Sequence, residues 1–247
     1  MGTIGYGYGS EWQLLQYLGR RRDALTAEVE RAAGLSGLRW LDGDVHDEGG
    51  TLKIREHKGL EFLPTGDPTR TAWESLWPQS GNVHNWDAVG RAVVGGREAW
   101  VLVEAKAHLG ELKSSCGASL ASRSKIDAAM EATRRALGVT SGGAWTEDYY
   151  QAANRIALLH FLRDRNLNVH LVFLYFTGDR MDLGAPGRIC PVSESGWQSA
   201  IAAQAAHLGI DHDAPIKDFI HSLFLPVISS PIAESALRPD LVRSEGR

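Results

Sequence analysis

Apolar residues recur along the chain with two periods, one typical of helices and one typical of strands. The first helical stripe is formed by Leu15, Leu18, Leu25 and Val29. Their spacings of three, seven and four residues place these side chains on one face of a helix, which Gly34 would end. Ser10 precedes the stripe and is followed by Gln13 in the arrangement of a capping box. The pattern therefore predicts one helix that begins at Ser10 and continues to Gly34.

The remaining patterns alternate between helices and strands. Helices are predicted over residues 124–137, 147–164, 195–208 and 216–223, and apolar strands over residues 100–103 and 169–176. Residues 38–63 are typical of a β-hairpin, and residues 64–86, rich in Pro, Gly, Ser and Trp, are typical of a long loop. This order predicts a single mixed α/β domain over residues 1–225, with the hairpin as an elaboration, and a loose tail over residues 226–247.

Composition excludes several classes of protein. With 43% hydrophobic and 23% charged residues among 247, the chain is expected to fold around a core rather than stay disordered. No apolar run approaches the roughly 20 residues of a membrane helix, and no secretory signal is visible, so we expect no membrane partner. Two cysteines, Cys116 and Cys190, are too few for a disulfide framework, which favours a cytoplasmic protein.

The charge distribution narrows the search for a ligand site. A net charge of −4 argues against a protein that coats nucleic acid, because phosphate binding requires clustered Lys and Arg. Residues 87–137 carry eight basic and six acidic side chains and form the net-positive part of the sequence. An anionic ligand is therefore expected to bind there.

Charged residues end one of the predicted strands within this segment. Glu104 and Lys106 follow the apolar residues 101–103, and strand alternation puts their side chains on one face and Ala105 on the other. Such charges are costly unless they pair with each other or bind a metal. Asp87, seventeen residues before Glu104, would complete the site if a neighbouring strand brought it there. Two carboxylates suit Mg²⁺, and a lysine beside them can activate water or stabilise charge on phosphorus, as phosphodiester hydrolysis requires.

The Glu-x-Lys spacing alone carries little information. It occurs again at Glu56, on a predicted strand of alternating apolar and polar residues with one solvent-exposed face. It also occurs at Glu111, which follows a glycine and is expected in a solvated turn. The alternative interpretation of Glu104 and Lys106 is a salt-bridged strand end, with Asp87 as an unrelated surface residue. The context of a buried strand favours the catalytic interpretation.

Asp87 followed by Glu104-Ala105-Lys106 at the end of an apolar strand resembles the motif of the PD-(D/E)xK nuclease superfamily. Trp86 stands where that family has a proline. The resemblance implies a restriction-endonuclease-like α/β fold, in which helices flank a central mixed sheet. It also implies that Asp87, Glu104 and the backbone carbonyl of Ala105 hold Mg²⁺ or Mn²⁺, while Lys106 acts on the attacking water or stabilises the transition state.

Members of this superfamily often place further polar groups around the metal. The resemblance covers about residues 10–176 and points to Glu11, which lies in phase with the stripe of the first helix. Gln151 and Arg155 share a face of a later helix at i,i+4, and they are candidates for the rim of the active site. The alternative for these two residues is a hydrogen-bonded stripe that faces solvent.

The leading hypothesis is a divalent-metal-dependent endonuclease whose partner is nucleic acid, with DNA favoured. A homodimer is compatible with it, because many nucleases of this fold pair up to cut both strands. A second hypothesis, favoured by the acidic net charge, is a nuclease-fold module that binds nucleic acid or a protein without cleaving. A small-molecule phosphohydrolase with the same metal chemistry is a third. Trp73, Trp77 and Trp86 crowd the approach to Asp87, and we expect them to pack in the core rather than stack on bases.

Overall fold

A five-stranded mixed sheet forms the centre of the computed structural model, which describes residues 9–41, 45–47, 52–54, 57–79, 84–179, 189–210 and 213–228. In spatial order the strands are β1 (Ser36–Leu41), β6 (Ala88–Val94), β7 (Arg97–Lys106), β8 (Val169–Thr177) and β9 (Ile220–Pro226). β1, β6 and β7 are antiparallel neighbours, whereas β7, β8 and β9 run parallel. The predicted mixed α/β architecture is confirmed.

Two short strand pairs and six helices accompany this sheet within the described residues. The pairs join β2 (Val45–Asp47) to β3 (Leu52–Ile54) and β4 (His57–Lys58) to β5 (Asn85–Trp86). The helices are α1 (Ser10–Arg20), α2 (Arg22–Ala33), α3 (Pro68–Leu76), α4 (Leu120–Ala136), α5 (Tyr150–Asp164) and α6 (Glu194–Leu208). Short 3₁₀ helices cover Leu109–Leu112 and Pro215–Phe219. In this part of the chain, no helix combines the length and hydropathy that crossing a bilayer requires.

The sheet is covered on both faces, and the alternation of side chains along β7 shows how. Val101 and Val103 pack in one apolar cluster with Leu25 and Val29 of α2. Leu102 belongs to the opposite cluster, to which α3, α4, α5 and α6 contribute. Glu104 and Lys106 are in phase with Leu102, so they project into the layer that contains α5.

The predicted first helix is wrong in its continuity and in its phase. The helical segment breaks at Arg21 into α1 and α2, and Gly34 ends α2 with φ of 64°. Leu14 and Tyr17 are buried on α1 in place of the predicted Leu15 and Leu18, and they pack in the cluster that contains Leu25 and Val29 of α2. The predicted capping box is absent, since no side chain caps the start of α1.

The predicted long loop over residues 64–86 contains α3. Asp67 caps this helix by accepting hydrogen bonds from the N–H groups of Thr69 and Arg70, and Pro68 occupies its first position. Both residues are favourable helix starts, but the loop-like composition on either side obscured them. Trp73 of α3, with Trp77 and Trp86, is buried in the core, as expected.

The predicted helix over residues 216–223 is also wrong. A 3₁₀ helix ends at Phe219 and β9 follows, with Leu223 and Leu225 buried at alternate positions against the α1–α2 layer. β9 pairs with β8, which is buried along nearly its whole length, so the chain here completes a sheet edge. The opposite edge is β1, whose residues were expected to lie mostly in the peripheral hairpin. Of the predicted loose tail, residues 229–247 lie outside the described residues.

A pair of histidines links β8 to β9 and makes stability sensitive to acid. Nδ1 of His170 lies 3.0 Å from Nε2 of His221, and the two rings stack at 5.2 Å. Burial, followed by the nearby His221 and Arg163, lowers the pKa of His170 to about 4. In the unfolded chain this imidazole titrates near about 6.5, so the unfolded state binds a proton more readily between these two values. Stability is therefore lost as the pH falls from about 6.5 towards 4.

We expect His170→Gln to flatten this part of the pH profile. Between pH 7 and pH 5, the wild-type protein should lose roughly 1 to 2 kcal/mol more unfolding free energy than the variant. Urea denaturation at several pH values measures the difference, and equal slopes for the two proteins would contradict it. The comparison uses the change with pH alone, so a constant cost of the substitution does not affect the result.

Candidate active site

Pairing of β6 with β7 brings Asp87 to the end of the β7 strand. Ala88 pairs with Val103, which makes Asp87 level with Glu104. The Asp87 N–H donates to the Val103 carbonyl at 3.1 Å, and Asp87 Oδ2 accepts from the Ala105 N–H at 2.6 Å. The structure therefore brings together the aspartate and the Glu-Ala-Lys segment that the sequence singled out.

Glu104 lies at the centre of a buried ionic network. Its Oε1 is 2.5 Å from Lys106 Nζ, and its Oε2 accepts from Arg155 Nε at 2.8 Å and lies 2.7 Å from Arg155 Nη2 in an ion pair. Glu104, Lys106 and Arg155 are only 3%, 7% and 5% exposed. Charged side chains at such depth are stable only with partners of opposite charge, and each member of this network has one.

Helix α5 supplies the other half of the network. Gln151 Oε1 accepts from Lys106 Nζ at 3.1 Å. Arg155 also donates to the Asn85 carbonyl at 2.6 Å and to Asn154 Oδ1 at 2.8 Å, and its guanidinium lies 4.9 Å from the Trp86 ring centroid. Arg155 is therefore held by hydrogen bonds and a cation–π contact. The alternative of a solvent-facing stripe is wrong for Arg155, because the side chain is buried.

The two carboxylates respond oppositely to this environment. Burial, followed by the negative charge of Glu104, holds the pKa of Asp87 well above its ordinary value. Burial would also raise the pKa of Glu104, but the charges of Arg155 and Lys106 outweigh it and lower that pKa. Two cationic partners thus stabilise the ionised form of Glu104. Asp87 is the carboxylate whose ionised form is disfavoured.

Lys106 is a stable ammonium group in this arrangement. Burial alone would lower its pKa, but the negative charges of Glu104 and Asp87 outweigh this effect and raise it. A lysine of this kind is a poor proton acceptor at neutral pH and a good source of positive charge. Counting Asp87, Glu104, Lys106 and Arg155 as ionised, two negative and two positive charges give the cluster zero net charge.

A cavity of about 860 Å³ opens onto this cluster. Its wall includes Asp87, Glu104, Ala105, Lys106, Gln151 and Arg155, and it continues past the serine-rich segment 114–119 at the start of α4. The volume lies within the range of small-molecule and cofactor pockets. The cavity is therefore large enough for a group of nucleotide size.

Glu11 lies on the wall of the same cavity, near the start of α1, and its side chain is exposed. The structure thus places this predicted residue beside the site but outside its buried centre.

The expected solvated turn at Glu111 is wrong: this half-buried carboxylate accepts from the Ala107 N–H at 2.5 Å and from Ser10 Oγ at 3.4 Å. Glu111 joins the end of β7 to the start of α1, and no signal in the sequence points to this role. Glu56, where the Glu-x-Lys spacing also occurs, lies outside the described residues.

The donor set at the site is compatible with a hard divalent cation. Mg²⁺ takes oxygen ligands, is commonly bound through one or two carboxylates and keeps several waters. Asp87 provides a half-buried carboxylate beside the buried Glu104, and desolvation, followed by the negative charge of Glu104, raises the pKa of Asp87, an effect that a bound cation would oppose. Within the described ranges, no three His, Cys, Asp or Glu side chains are grouped as metal ligands. Two carboxylate ligands suit an ion that keeps several of its waters.

Comparison of the chain with protein-family models, with curated proteins and with solved structures finds no match. The chemistry of Asp87, Glu104, Lys106 and Arg155 is therefore the basis on which a function can be assigned.

Proposed function

We propose that this protein is a divalent-metal-dependent nuclease of the PD-(D/E)xK type that hydrolyses DNA phosphodiester bonds. The observation that carries the proposal is the cluster of half-buried Asp87 with buried Glu104 and Lys106 at the end of an interior strand, facing a cavity large enough for a nucleotide. The order of the central strands and the helices on both faces are compatible with the restriction-endonuclease-like fold.

Each residue has a role that follows from its contacts. Asp87 and Glu104, with the Ala105 carbonyl, would hold Mg²⁺ or Mn²⁺; such an ion, when bound, lowers the pKa of water and neutralises phosphate charge. Lys106, kept cationic by its raised pKa, stabilises negative charge that develops on the phosphoryl oxygens. This supports charge stabilisation over proton abstraction for the lysine. Arg155 fixes the orientation of Glu104, and Gln151 that of Lys106.

A non-cleaving module that binds nucleic acid or a protein is the second candidate. The observation in its favour is that both oxygens of Glu104 are already engaged by Lys106 and Arg155, so the cluster is electrically balanced by its own residues. In such a protein the ionic network would serve the fold, and the cavity would be a binding surface.

A cleavage assay separates the two candidates. Plasmid, linear duplex, single-stranded DNA and RNA are incubated with Mg²⁺ or Mn²⁺, with EDTA as the metal-free control. We expect metal-dependent cleavage of DNA, reduced about 10²- to 10³-fold in Lys106→Ala. Lys125→Ala, an exposed lysine of α4, is the matched control and should cut normally. A folded protein that binds these substrates but cuts none of them with either metal would establish the non-cleaving module instead.

A further inference from the structure

A run of three arginines marks the junction between α1 and α2. Arg20, Arg21 and Arg22 are consecutive and exposed, and they line a surface depression of about 490 Å³. We propose that this arginine run is a docking surface for the nucleic-acid backbone and contacts phosphates away from the scissile one. The proposal rests on the proposed function for the class of its ligand.

Helix α1 connects the arginine run to the candidate active site. Ser10, at its start, donates to Glu111 beside the end of β7. Farther along, Gln13 Oε1 accepts from the Ile228 N–H at 3.0 Å, and the Tyr17 hydroxyl donates to the Pro226 carbonyl at 2.7 Å.

These contacts fix the direction of α1 across the sheet. β7, β8 and β9 are parallel, so their carboxyl ends lie at one edge of the sheet. The Tyr17 ring also stacks on Phe176, close to the end of β8, at 5.8 Å. Helix α1 packs on the face of the sheet opposite to the Glu104 side chain and runs along this edge from β7 towards β9, so Arg20 lies at its far end.

The length of α1 gives the distance from the cavity wall at Ser10 to the arginine run. Eleven residues at about 1.5 Å each span roughly 16 Å. Along duplex DNA the phosphates of one strand follow at about 3.4 Å of axial rise, so this span corresponds to four or five nucleotides. A backbone that leaves the cavity beside Ser10 would reach the arginine run after about that many steps.

The local charge suits a polyanion rather than a single buried ion. Among the first 37 residues there are four basic side chains, and three of them form this run. Within the run, Arg22 Nε donates to the Leu18 carbonyl at 2.8 Å, and the fourth basic residue, Arg31, pairs with Glu28 on α2. Asp23 adjoins the run, so residues 20–23 carry three positive charges and one negative charge. Exposed guanidinium groups of this kind bind phosphate oxygens through charge-assisted and bidentate hydrogen bonds.

The test is the salt dependence of nucleic-acid binding in EDTA, where no cleavage interferes. The variant Arg20→Ala/Arg21→Ala/Arg22→Ala is compared with Arg39→Ala/Arg97→Ala/Arg135→Ala, which removes the same charge from exposed positions elsewhere. Each phosphate contact contributes about 0.9 to the slope of log K against log salt for duplex DNA. Loss of three contacts should lower the slope by about 2 to 3 and weaken duplex binding about 100-fold at 0.15 M salt.

The control variant should retain most of the wild-type slope, and thermal unfolding checks that both variants are folded. Equal slopes for the two triple variants, or no binding of duplex or single strands by the wild-type protein, would overturn the docking surface. The outcome is separable from that of the cleavage assay. If the protein cuts DNA but the slope of log K against log salt is unchanged in the Arg20/Arg21/Arg22 variant, the docking surface alone is refuted. If the protein does not cut DNA but its salt dependence of binding falls in the Arg20/Arg21/Arg22 variant, the docking surface is supported and the nuclease is refuted.

Discussion

Asp87→Asn is expected to abolish cleavage and, in the same protein, to make the fold more stable at neutral pH. Cleavage should fall about 10³-fold or more, because the substitution removes one of the two carboxylates proposed to hold the metal. Stability should rise because desolvation of the half-buried Asp87 carboxylate, followed by the negative charge of Glu104, holds its pKa well above the ordinary value. The amide is neutral and can still accept the hydrogen bond that the Ala105 N–H now donates to Asp87 Oδ2.

The gain in stability should depend on pH in a defined direction. A carboxyl group whose pKa is higher in the folded state than in the unfolded state binds its proton more readily when folded. The wild-type protein therefore loses stability as the pH rises from about 4, where unfolded aspartate titrates, towards the raised pKa of Asp87. The amide side chain of the variant does not titrate in that window. We expect a gain of about 1 to 3 kcal/mol at pH 7 that disappears near pH 4.

Chemical denaturation in EDTA at these two pH values measures the gain, and calorimetric titration with Mg²⁺ measures the accompanying loss of metal binding. Asp127→Asn, an exposed aspartate paired with Arg123 on α4, is the matched control and should change stability by less than about 0.5 kcal/mol. If Asp87→Asn destabilises the protein at pH 7, the proposed electrostatic conflict between Asp87 and Glu104 is wrong. Unchanged Mg²⁺ binding would remove Asp87 from the metal site.

Arg155→Met should have the largest effect on stability. Removal of the guanidinium leaves Glu104 buried with Lys106 as its remaining partner among the three ionic groups of the network. Breaking a buried ion pair by removing one member costs about 3 to 5 kcal/mol, because the other charge stays buried. Lys106 compensates in part, so we expect a loss near about 3 kcal/mol. Urea denaturation measures it, with Arg135→Met, an exposed arginine of α4, as the control.

A double-mutant cycle with Glu104→Gln distinguishes this account from a loss of packing. If the uncompensated charge of Glu104 is the cause, Arg155→Met should cost clearly less in the Glu104→Gln background, with a coupling energy of about 1 to 3 kcal/mol. Additive effects would show that Arg155 stabilises the protein mainly through its contacts with Trp86 and Asn154. In that case Arg155 would not be the residue that positions Glu104.

Several features of the site followed from short stretches of sequence. Alternation along an apolar strand put Glu104 and Lys106 on one face, and helical periodicity put Gln151 and Arg155 on another. These rules work because neighbours along one strand or helix have fixed relative directions. The sheet class and the buried strand β8 followed for the same reason, and the packing of Trp73, Trp77 and Trp86 in the core agrees with it.

The tertiary structure alone decided which of these faces meet. That Arg155 pairs with Glu104, 51 residues away, depends on how α5 crosses the sheet, and no local period contains that information. The same holds for Glu111, whose partners are a backbone amide and the start of α1, and for β9, which became a strand because β8 offered an edge to pair with. The bend at Arg21 shifted the buried face of α1 by one residue. The sequence determined which residues are available for chemistry. Burial and long-range pairing determined their charge states and partners, because desolvation and Coulomb energies arise only when distant segments come together.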